Sequence, residues 1–270
     1  MRHVANFWPP VSAMSDQDHF AGVLVDTDLV RKWVTGTAIA LVMLLASTFA
    51  GYTLSTSRTF QLAGEIIDRV DTTDKVVALT LDDGPTEWTP DVLDALATAD
   101  IPATFYLNGA DLDRHPDQGA AIVRAGHEIG NHTYTHRRMV FVSGATVADE
   151  IERTDEAIAR TGYRGPVKFR PPYGKKLWAL PHYLAEHNRT TITWDLEPDS
   201  AGNPTTDQIV GDTVKSVRPG SIILLHVMLE SRAASRAAVP QIIDRLQSDG
   251  YRFVTVSELL TLRTAGAPAG

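Results

Sequence analysis

Two adjacent carboxylates end an apolar run of the chain, residues 78–85, which reads ALTLDDGP. Neighbouring residues at a strand end point in different directions, so Asp82 and Asp83 can serve two separate tasks. Gly84 and Pro85 then favour a tight turn. A carboxylate pair there can accept a proton or bind a metal ion, and it can equally be a solvated surface turn.

The next polar cluster contains two histidines, in residues 131–136, which read NHTYTH. His132 and His136 are four residues apart, a spacing that brings both imidazoles to one side of a helical turn. Two neutral imidazoles and one carboxylate form a three-ligand site with open positions, suited to zinc or another divalent transition metal. An isolated pair at this spacing is more often structural, but the acids of residues 82–83 favour a metal site.

Three further clusters follow apolar runs: RPPYG at residues 170–174, WDLEPD at 194–199 and LLH at 224–226. The prolines stiffen the first loop, in which the Tyr173 N–H could face an oxyanion. His226 directly follows a strand-like run and is a candidate general acid. Taken alone, these clusters could be a rigid loop, a solvated acidic loop and a buried histidine. Their joint occurrence favours catalysis.

Apolar β-branched runs alternate with amphipathic stretches from residue 75 onward, which predicts an α/β fold, either a parallel barrel or a doubly wound sheet. In both architectures the functional residues collect at the carboxyl ends of the strands. The predicted strands are residues 76–81, 103–107, 128–131, 167–169, 191–194, 222–225 and 253–256. The predicted helices are residues 90–99, 118–125, 145–161, 180–186, 206–217 and 240–248.

The five clusters, in this order and spacing, resemble the polysaccharide deacetylase family (carbohydrate esterase family 4) over about residues 75–263. That family includes chitooligosaccharide, chitin and peptidoglycan N-acetylglucosamine deacetylases and some acetylxylan esterases. The resemblance implies a distorted (β/α) barrel with about seven parallel strands, here preceded by one transmembrane helix.

The first two motifs look like the family's T-F-D-D-G-P and H-(S/T)-x-x-H segments. The resemblance implies that Asp82 is the general base. It implies that Asp83, His132 and His136 are the metal ligands. The cofactor expected from this likeness is a divalent metal, Zn²⁺ first and Co²⁺ as the alternative.

The third and fifth motifs are similar to the family's R-x-P-Y segment and to its Leu-x-His segment. The likeness implies that Arg170 orients Asp82 and that the Tyr173 amide stabilises the oxyanion. It also implies that His226 protonates the departing amine and that Leu224 helps to line the acetyl pocket.

The fourth motif departs from the family's Asp-x-x-Asp-Trp run, because residues 194–199 lack the usual following Trp. Glu197 takes the position expected for the acid that holds and tunes His226. Trp194 stands before the motif and is expected to bind the substrate through its aromatic surface.

These residues predict a metal-dependent hydrolase that removes N-acetyl groups from an amino-sugar polymer or oligomer, peptidoglycan or chitin-like, through attack of a water molecule that the metal activates. An O-acetyl xylan esterase and a small-amide hydrolase are alternatives that would use the same base, metal and acid. A non-catalytic glycan-binding protein is disfavoured because every catalytic part is present.

Composition excludes several other classes of protein. The 270-residue chain has a formal net charge of −8. Because nucleic-acid binding needs clustered Lys and Arg, we expect no nucleic-acid partner. The chain contains no cysteine, which excludes disulfides and thiolate metal sites. An acetylated glycan is the expected partner, and nothing in the sequence indicates a protein partner.

Residues 33–52 form a charge-free apolar stretch, long enough to span a hydrocarbon core of about 30 Å. Two cations stand directly before it, so the positive-inside rule places residues 1–32 in the cytoplasm as an N-terminal tail. A cleaved signal peptide is the alternative, with Thr48 and Ala50 at the −3 and −1 positions. A buried core helix is less favoured, and Met14 is an alternative start.

The expected order is therefore the tail, the anchor or signal segment, a polar tether at 53–74, the catalytic domain at 75–263 and a flexible tail at 264–270. We expect a single-pass protein of the cell membrane with an extracytoplasmic catalytic domain, secreted if the segment is cleaved.

Overall fold

The N-terminal apolar stretch forms one long helix. The computed structural model describes residues 26–200 and 202–263, so most of the expected N-terminal tail and all of the expected C-terminal tail lie outside the described residues. The chain divides into two compact units, one ending at Ser47 and one beginning at Thr48. Helix α1, Thr27–Thr56, includes the predicted span 33–52, and it is long and apolar enough to cross a membrane.

The second unit contains parallel strands. Among the described residues they are β1 (Ile66–Ile67), β2 (Val76–Asp82), β3 (Thr104–Leu107), β4 (Glu128–Asn131), β5 (Thr191–Ile192), β6 (Ile222–His226) and β7 (Arg252–Phe253). Strands β4, β3, β2 and β6 pair in that order, β7 pairs with the start of β2, and β1 pairs with β5. Every one of these ladders is parallel.

Single backbone bridges close the strands into a barrel. Phe169 pairs with Asn131 of β4 on one side and with Thr191 of β5 on the other. A few residues after β5, Leu196 pairs with Ile223 of β6. The pairing that starts at β2 therefore returns to β2 through β6, which confirms the expected distorted barrel.

Helices connect the strands. They are α2 (Thr89–Thr98), α3 (Gly109–Arg114), α4 (Pro116–Arg124), α5 (Gly144–Arg160), α6 (Ala179–Glu186), α7 (Thr206–Ser216), α8 (Ala233–Ser248) and α9 (Val256–Thr261). Ser143 caps α5 by accepting a hydrogen bond from the Thr146 amide. Thr205 and Thr255 begin α7 and α9 with complete capping boxes, which satisfy amides that no helical carbonyl reaches.

All seven residues of β2 are buried, and they alternate between two apolar layers. Val76 and Ala78 pack with Leu224 inside the barrel. Val77 and Leu79 pack in the larger layer that also contains the apolar faces of the helices. This alternation carries Asp82 onto the interior face at the barrel mouth.

The segment expected to be a weakly ordered tether, residues 53–74, differs from that expectation. Within it, Ile66 and Ile67 form β1 against β5, and the Ile67 and Val70 side chains are buried in the interior layer. A two-residue strand is too short to produce a recognisable alternation, so its burial depends on a partner more than 120 residues away.

Other element boundaries also differ. The predicted strand at 167–169 is reduced to the bridge at Phe169, and the predicted strand at 253–256 ends at Phe253 because Thr255 caps α9. Helix α8 begins seven residues before the predicted start, at Ala233, and contains Pro240 in its interior. Helices α3 and α9 have six residues each, which is too short for a clear periodic pattern.

Candidate active site

The loops after β2 and β4 bring three potential metal ligands together. The Nε2 atom of His136 lies 3.3 Å from Oδ1 of Asp83, and that of His132 lies 4.0 Å from the same oxygen. The three ligand atoms all lie within 4.8 Å of one another. Asp83 and His136 have positive φ angles of 71° and 56°. Such backbone conformations cost free energy in non-glycine residues and are typical of functional sites.

The hydrogen bonds of His132 suit it to metal binding. Its Nδ1 lies 2.8 Å from the carbonyl oxygen of Arg170, so Nδ1 carries the proton and the Nε2 lone pair faces Asp83. Burial, with a smaller contribution from His136, lowers the pKa of His132 to about 3, which keeps the ring neutral. Two imidazoles and one carboxylate with open positions fit a divalent transition metal.

Asp82 lies beside these ligands and is bound by a buried arginine. Its Oδ1 accepts a hydrogen bond of 2.7 Å from Arg170, whose side chain is wholly buried. Arg170 also donates to Thr80 Oγ1 at 2.8 Å and to the Thr193 carbonyl at 3.0 Å, and it lies 4.1 Å from the Tyr106 ring centroid. Burial raises the pKa of Asp82, and the charge of Arg170 opposes that rise.

His226 faces Asp82 from the next strand, because the two residues are partners in the β2–β6 ladder. Asp199 accepts hydrogen bonds from the His226 backbone amide at 2.7 Å and from the imidazole Nδ1 at 3.2 Å. Burial lowers the pKa of His226, but the hydrogen bond and charge of Asp199 outweigh burial and raise it to about 9. The imidazole is therefore protonated at neutral pH.

The acid beside His226 is Asp199, so the expectation that Glu197 holds this histidine is wrong. Glu197 instead accepts hydrogen bonds from Trp194 Nε1 at 2.8 Å and from Ser200 Oγ at 2.6 Å. Asp199 is buried, and Ser235 Oγ also donates to it at 3.0 Å.

Strand register explains why Asp199 holds this position. Leu196 pairs in parallel with Ile223 of β6. Three residues further along these two segments are Asp199 and His226, which therefore lie at the same level of the barrel. The sequence contains Asp199, but the register that brings it beside His226 is visible only in the structure.

The remaining predicted residues surround the same cleft. Leu224 is buried at the end of β6, whereas Trp194 is only 5% exposed and offers little ring surface to a substrate. Tyr173 lies in a tight turn with a φ of 58°, and its ring centroid is 4.6 Å from that of His136. In this turn the Gly174 amide donates to the Pro171 carbonyl at 2.9 Å.

A cleft of about 540 Å³ joins these groups at the barrel mouth. Asn108, which is not among the predicted site residues, also lines the cleft and supports the loop that carries the ligands, because its Nδ2 donates to the His132 carbonyl at 2.8 Å. The sequence feature that could have identified Asn108 is its position directly after β3, where the other site residues also follow their strands. The predicted site residues that line the cleft are Asp82, Asp83, His132, His136, Tyr173, Trp194, Glu197, Leu224 and His226.

A parallel α/β barrel whose mouth combines a two-histidine, one-carboxylate site with a buried carboxylate and a protonated histidine defines a class of metal-dependent hydrolases. Residues 69–192 match the sequence profile of the family described as polysaccharide deacetylase. The chain belongs to the polysaccharide deacetylase family.

Known proteins similar to this chain support that membership. A peptidoglycan-N-acetylglucosamine deacetylase of Bacillus cereus (strain ATCC 14579) is 35% identical over 200 residues, which are 73% of this chain and 93% of the relative. A chitooligosaccharide deacetylase of Bradyrhizobium sp. (strain ANU 289) is 36% identical over 68% of this chain and 90% of the relative. A solved structure of a peptidoglycan N-acetylglucosamine deacetylase superimposes with a TM-score of 0.68 at 32% identity, covering 71% of this chain and 91% of its own.

Proposed function

We propose that the protein is a metal-dependent hydrolase that removes N-acetyl groups from an amino-sugar polymer or oligomer of the peptidoglycan or chitin type. The observation that carries this proposal is that a buried carboxylate, Asp82, and a protonated histidine, His226, face each other beside one set of metal ligands. The deacetylases named above support the substrate class.

The cofactor we propose is a divalent metal, with Zn²⁺ as the first candidate and Co²⁺ as the alternative. Asp83, His132 and His136 would hold it. When bound, the ion supplies Lewis acidity toward the acetyl carbonyl and the attacking water. The absence of cysteine leaves nitrogen and oxygen ligands, which suits both metals.

The side chains around the ligands provide the proton transfers. Asp82, fixed by Arg170, accepts a proton from the attacking water. The Tyr173 amide donates a hydrogen bond to the developing oxyanion. His226, kept protonated by Asp199, gives its proton to the departing nitrogen, so that acetate and a free amine separate.

The acetyl group is proposed to contact Leu224. Its side chain is buried and lines the cleft on the strand that carries His226, two residues before it. The alternation of β6 places both side chains on the interior face. Trp194 borders this pocket and is proposed to contact the sugar only with the small part of its ring that is exposed.

We propose that α1 anchors the chain in the cell membrane and that the catalytic domain, residues 75–263, lies outside the cytoplasm. This proposal is supported by the composition of α1, which contains an 18-residue window with a mean hydropathy of 1.8. No residue of that window is buried against the other described residues. A signal sequence has the same features, so cleavage and secretion are the alternative outcome. In both the anchored and the secreted form, the catalytic domain would reach a polymer of the cell envelope, which we propose as the substrate.

Acetate release by the full-length protein in detergent tests the function. The substrates are acetylated chitooligosaccharides, peptidoglycan and acetylxylan, each with Zn²⁺, with Co²⁺ and with EDTA. We expect release from the amino-sugar substrates that EDTA abolishes and added metal restores.

Two outcomes would contradict the proposal. Release from acetylxylan alone would identify an O-acetyl esterase. No release from any substrate by the metal-loaded protein would favour another amide substrate or a binding role.

A further inference from the structure

The residues at the end of helix α1 and directly after it are fixed against the catalytic domain. The Lys176 amide donates to the Ser55 carbonyl at 3.0 Å, and its Nζ donates to the Ser57 carbonyl. Thr193 Oγ1 donates to the Arg58 carbonyl at 2.6 Å. The backbone of Arg58 therefore has a defined place beside the segment that follows β5.

The side chain of Arg58 covers one part of the cleft wall. Its guanidinium carbon lies 5.2 Å from the Trp194 ring centroid, and one nitrogen lies 3.9 Å from Oε2 of Glu197. Glu197 already accepts shorter hydrogen bonds from Trp194 and Ser200. The ion pair with Arg58 is therefore long, and 44% of the arginine side chain is exposed, so its N–H groups can reach a further acceptor.

Glu197 lines two cavities, and Arg58 lines one of them. Glu197 lines the catalytic cleft, and both residues line a neighbouring cavity of about 350 Å³ together with Asp195 and Pro198. A glycan substrate is a chain of linked sugars, so the sugar next to the one being deacetylated needs a place outside the cleft. The neighbouring cavity is a candidate for that place, because Glu197 borders it as well as the cleft.

We propose that Arg58 is a specificity-determining residue that binds the adjacent sugar of the glycan chain. The inference rests on the proposed function. Because Glu197 offsets the charge of the guanidinium, the group that it binds is a neutral oxygen, a hydroxyl or an acetamido carbonyl, rather than a carboxylate. Arg58 precedes residue 69, where the family match begins.

Titration calorimetry with the N-acetylglucosamine tetramer tests the proposal on the full-length, zinc-loaded Asp82→Asn protein in detergent. This background lacks the proposed base, so the titration reports binding without turnover, and the substitutions below are added to it. We expect Arg58→Ala to weaken the affinity about tenfold, the effect of losing one hydrogen bond from a charged donor, and Arg58→Lys to recover part of it. Arg69→Ala is the matched control, because Arg69 lies in the same N-terminal region and bonds to Asp71 and to the Pro219 carbonyl.

Kinetics provide the second readout. We expect Arg58→Ala to raise KM for the tetramer by the same factor, with kcat within about twofold, and to raise KM for the monosaccharide by a smaller factor. Unchanged tetramer affinity in Arg58→Ala, an equal loss in Arg69→Ala, or no tetramer binding by the Asp82→Asn background with Arg58 intact would overturn the proposal. Absence of acetate release alone would instead overturn the proposed function, because the calorimetric comparison does not depend on turnover.

Discussion

At the residue scale, the cleft contains two histidines in opposite protonation states, His132, which is buried, and His226, which is partly exposed. Burial lowers the pKa of His132 to about 3. For His226 the hydrogen bond and charge of Asp199 outweigh burial, and the pKa rises to about 9. The first ring is a neutral ligand and the second is a proton donor, so one residue type serves two tasks because of the group to which each Nδ1 bonds.

The dependence of His226 on Asp199 can be tested with Asp199→Asn. Removing the carboxylate removes the main contributions that oppose burial and leaves only the charges of Asp82 and Asp83 against it, so the pKa of His226 falls. Because the protonated ring is the active form, activity is lost as pH rises through that pKa. We therefore expect the alkaline limb of kcat/KM against pH to move about one to three units lower.

Glu197→Gln is the matched control for that experiment, because Glu197 lines the same cleft and bonds to Trp194 rather than to His226. Its alkaline limb should stay at the wild-type pH. A limb that moves in Glu197→Gln and not in Asp199→Asn would contradict the assignment of Asp199.

Asp82→Asn separates proton transfer from metal binding. The amide keeps an oxygen for the hydrogen bond from Arg170 but cannot accept the proton of water, so we expect kcat to fall about 10²- to 10⁴-fold. Asp82 is not one of the three clustered ligands, so zinc affinity, measured by chelator competition, should stay close to wild type. Asp83→Asn, in contrast, replaces one of the three ligands, so we expect its main effect to be a loss of zinc affinity. Turnover retained in Asp82→Asn would exclude it as the base.

At the element scale, the barrel interior limits which residues β4 can contain. Gly130 pairs with Tyr106 across the β3–β4 ladder, and a Cβ at residue 130 would lie 2.4 Å from the tyrosine ring. The Tyr106 ring in turn stacks on the buried Arg170 guanidinium. Glycine therefore leaves the space that lets the arginine support Asp82.

Gly130→Ala is expected to destabilise the protein by about 1–3 kcal/mol, because the methyl group overpacks the barrel and the Tyr106 ring must move. Thermal and urea unfolding of the full-length protein measure this cost. Gly144→Ala is the control, since among the described residues no atom beyond its chain neighbours and its own helix backbone lies within 4 Å of the added Cβ, and it should stay within about 0.5 kcal/mol of wild type. Equal stability of the two variants would contradict the packing argument.

The sequence predicted most of the barrel and of the cleft for one physical reason, which is that polar clusters at the carboxyl ends of parallel strands converge. Asp82, His132 and His226 lie at or just after the ends of buried apolar runs, so their convergence could be predicted from the sequence. Asp199 and β1 were not, because each depends on a register between segments distant in the chain. Local pattern contains no information about such registers.

At the scale of the whole molecule, the end of helix α1 belongs to the same compact unit as the cleft. Helix α1 ends at Thr56, two residues before Arg58, and Ser55 and Ser57 bond to Lys176. Cleavage after Ala50 would leave these contacts in place. We therefore expect an anchored and a cleaved form to have the same cleft and to differ only in where the enzyme is located.

Whether α1 stays attached can be decided with Ala50→Leu. If α1 is an uncleaved anchor, the wild type and the variant are both recovered full-length in the membrane, because no peptidase acts after residue 50. If α1 is a signal peptide, the wild type is soluble and begins at Gly51, whereas the bulky side chain at the −1 position blocks cleavage and retains the variant in the membrane. We expect the first result, since the apolar part of α1 is long enough to span a membrane. Fractionation with alkaline carbonate measures membrane association, and the intact mass of the recovered protein gives its N-terminus. A mature N-terminus at Gly51 would contradict the proposal that α1 is an uncleaved anchor.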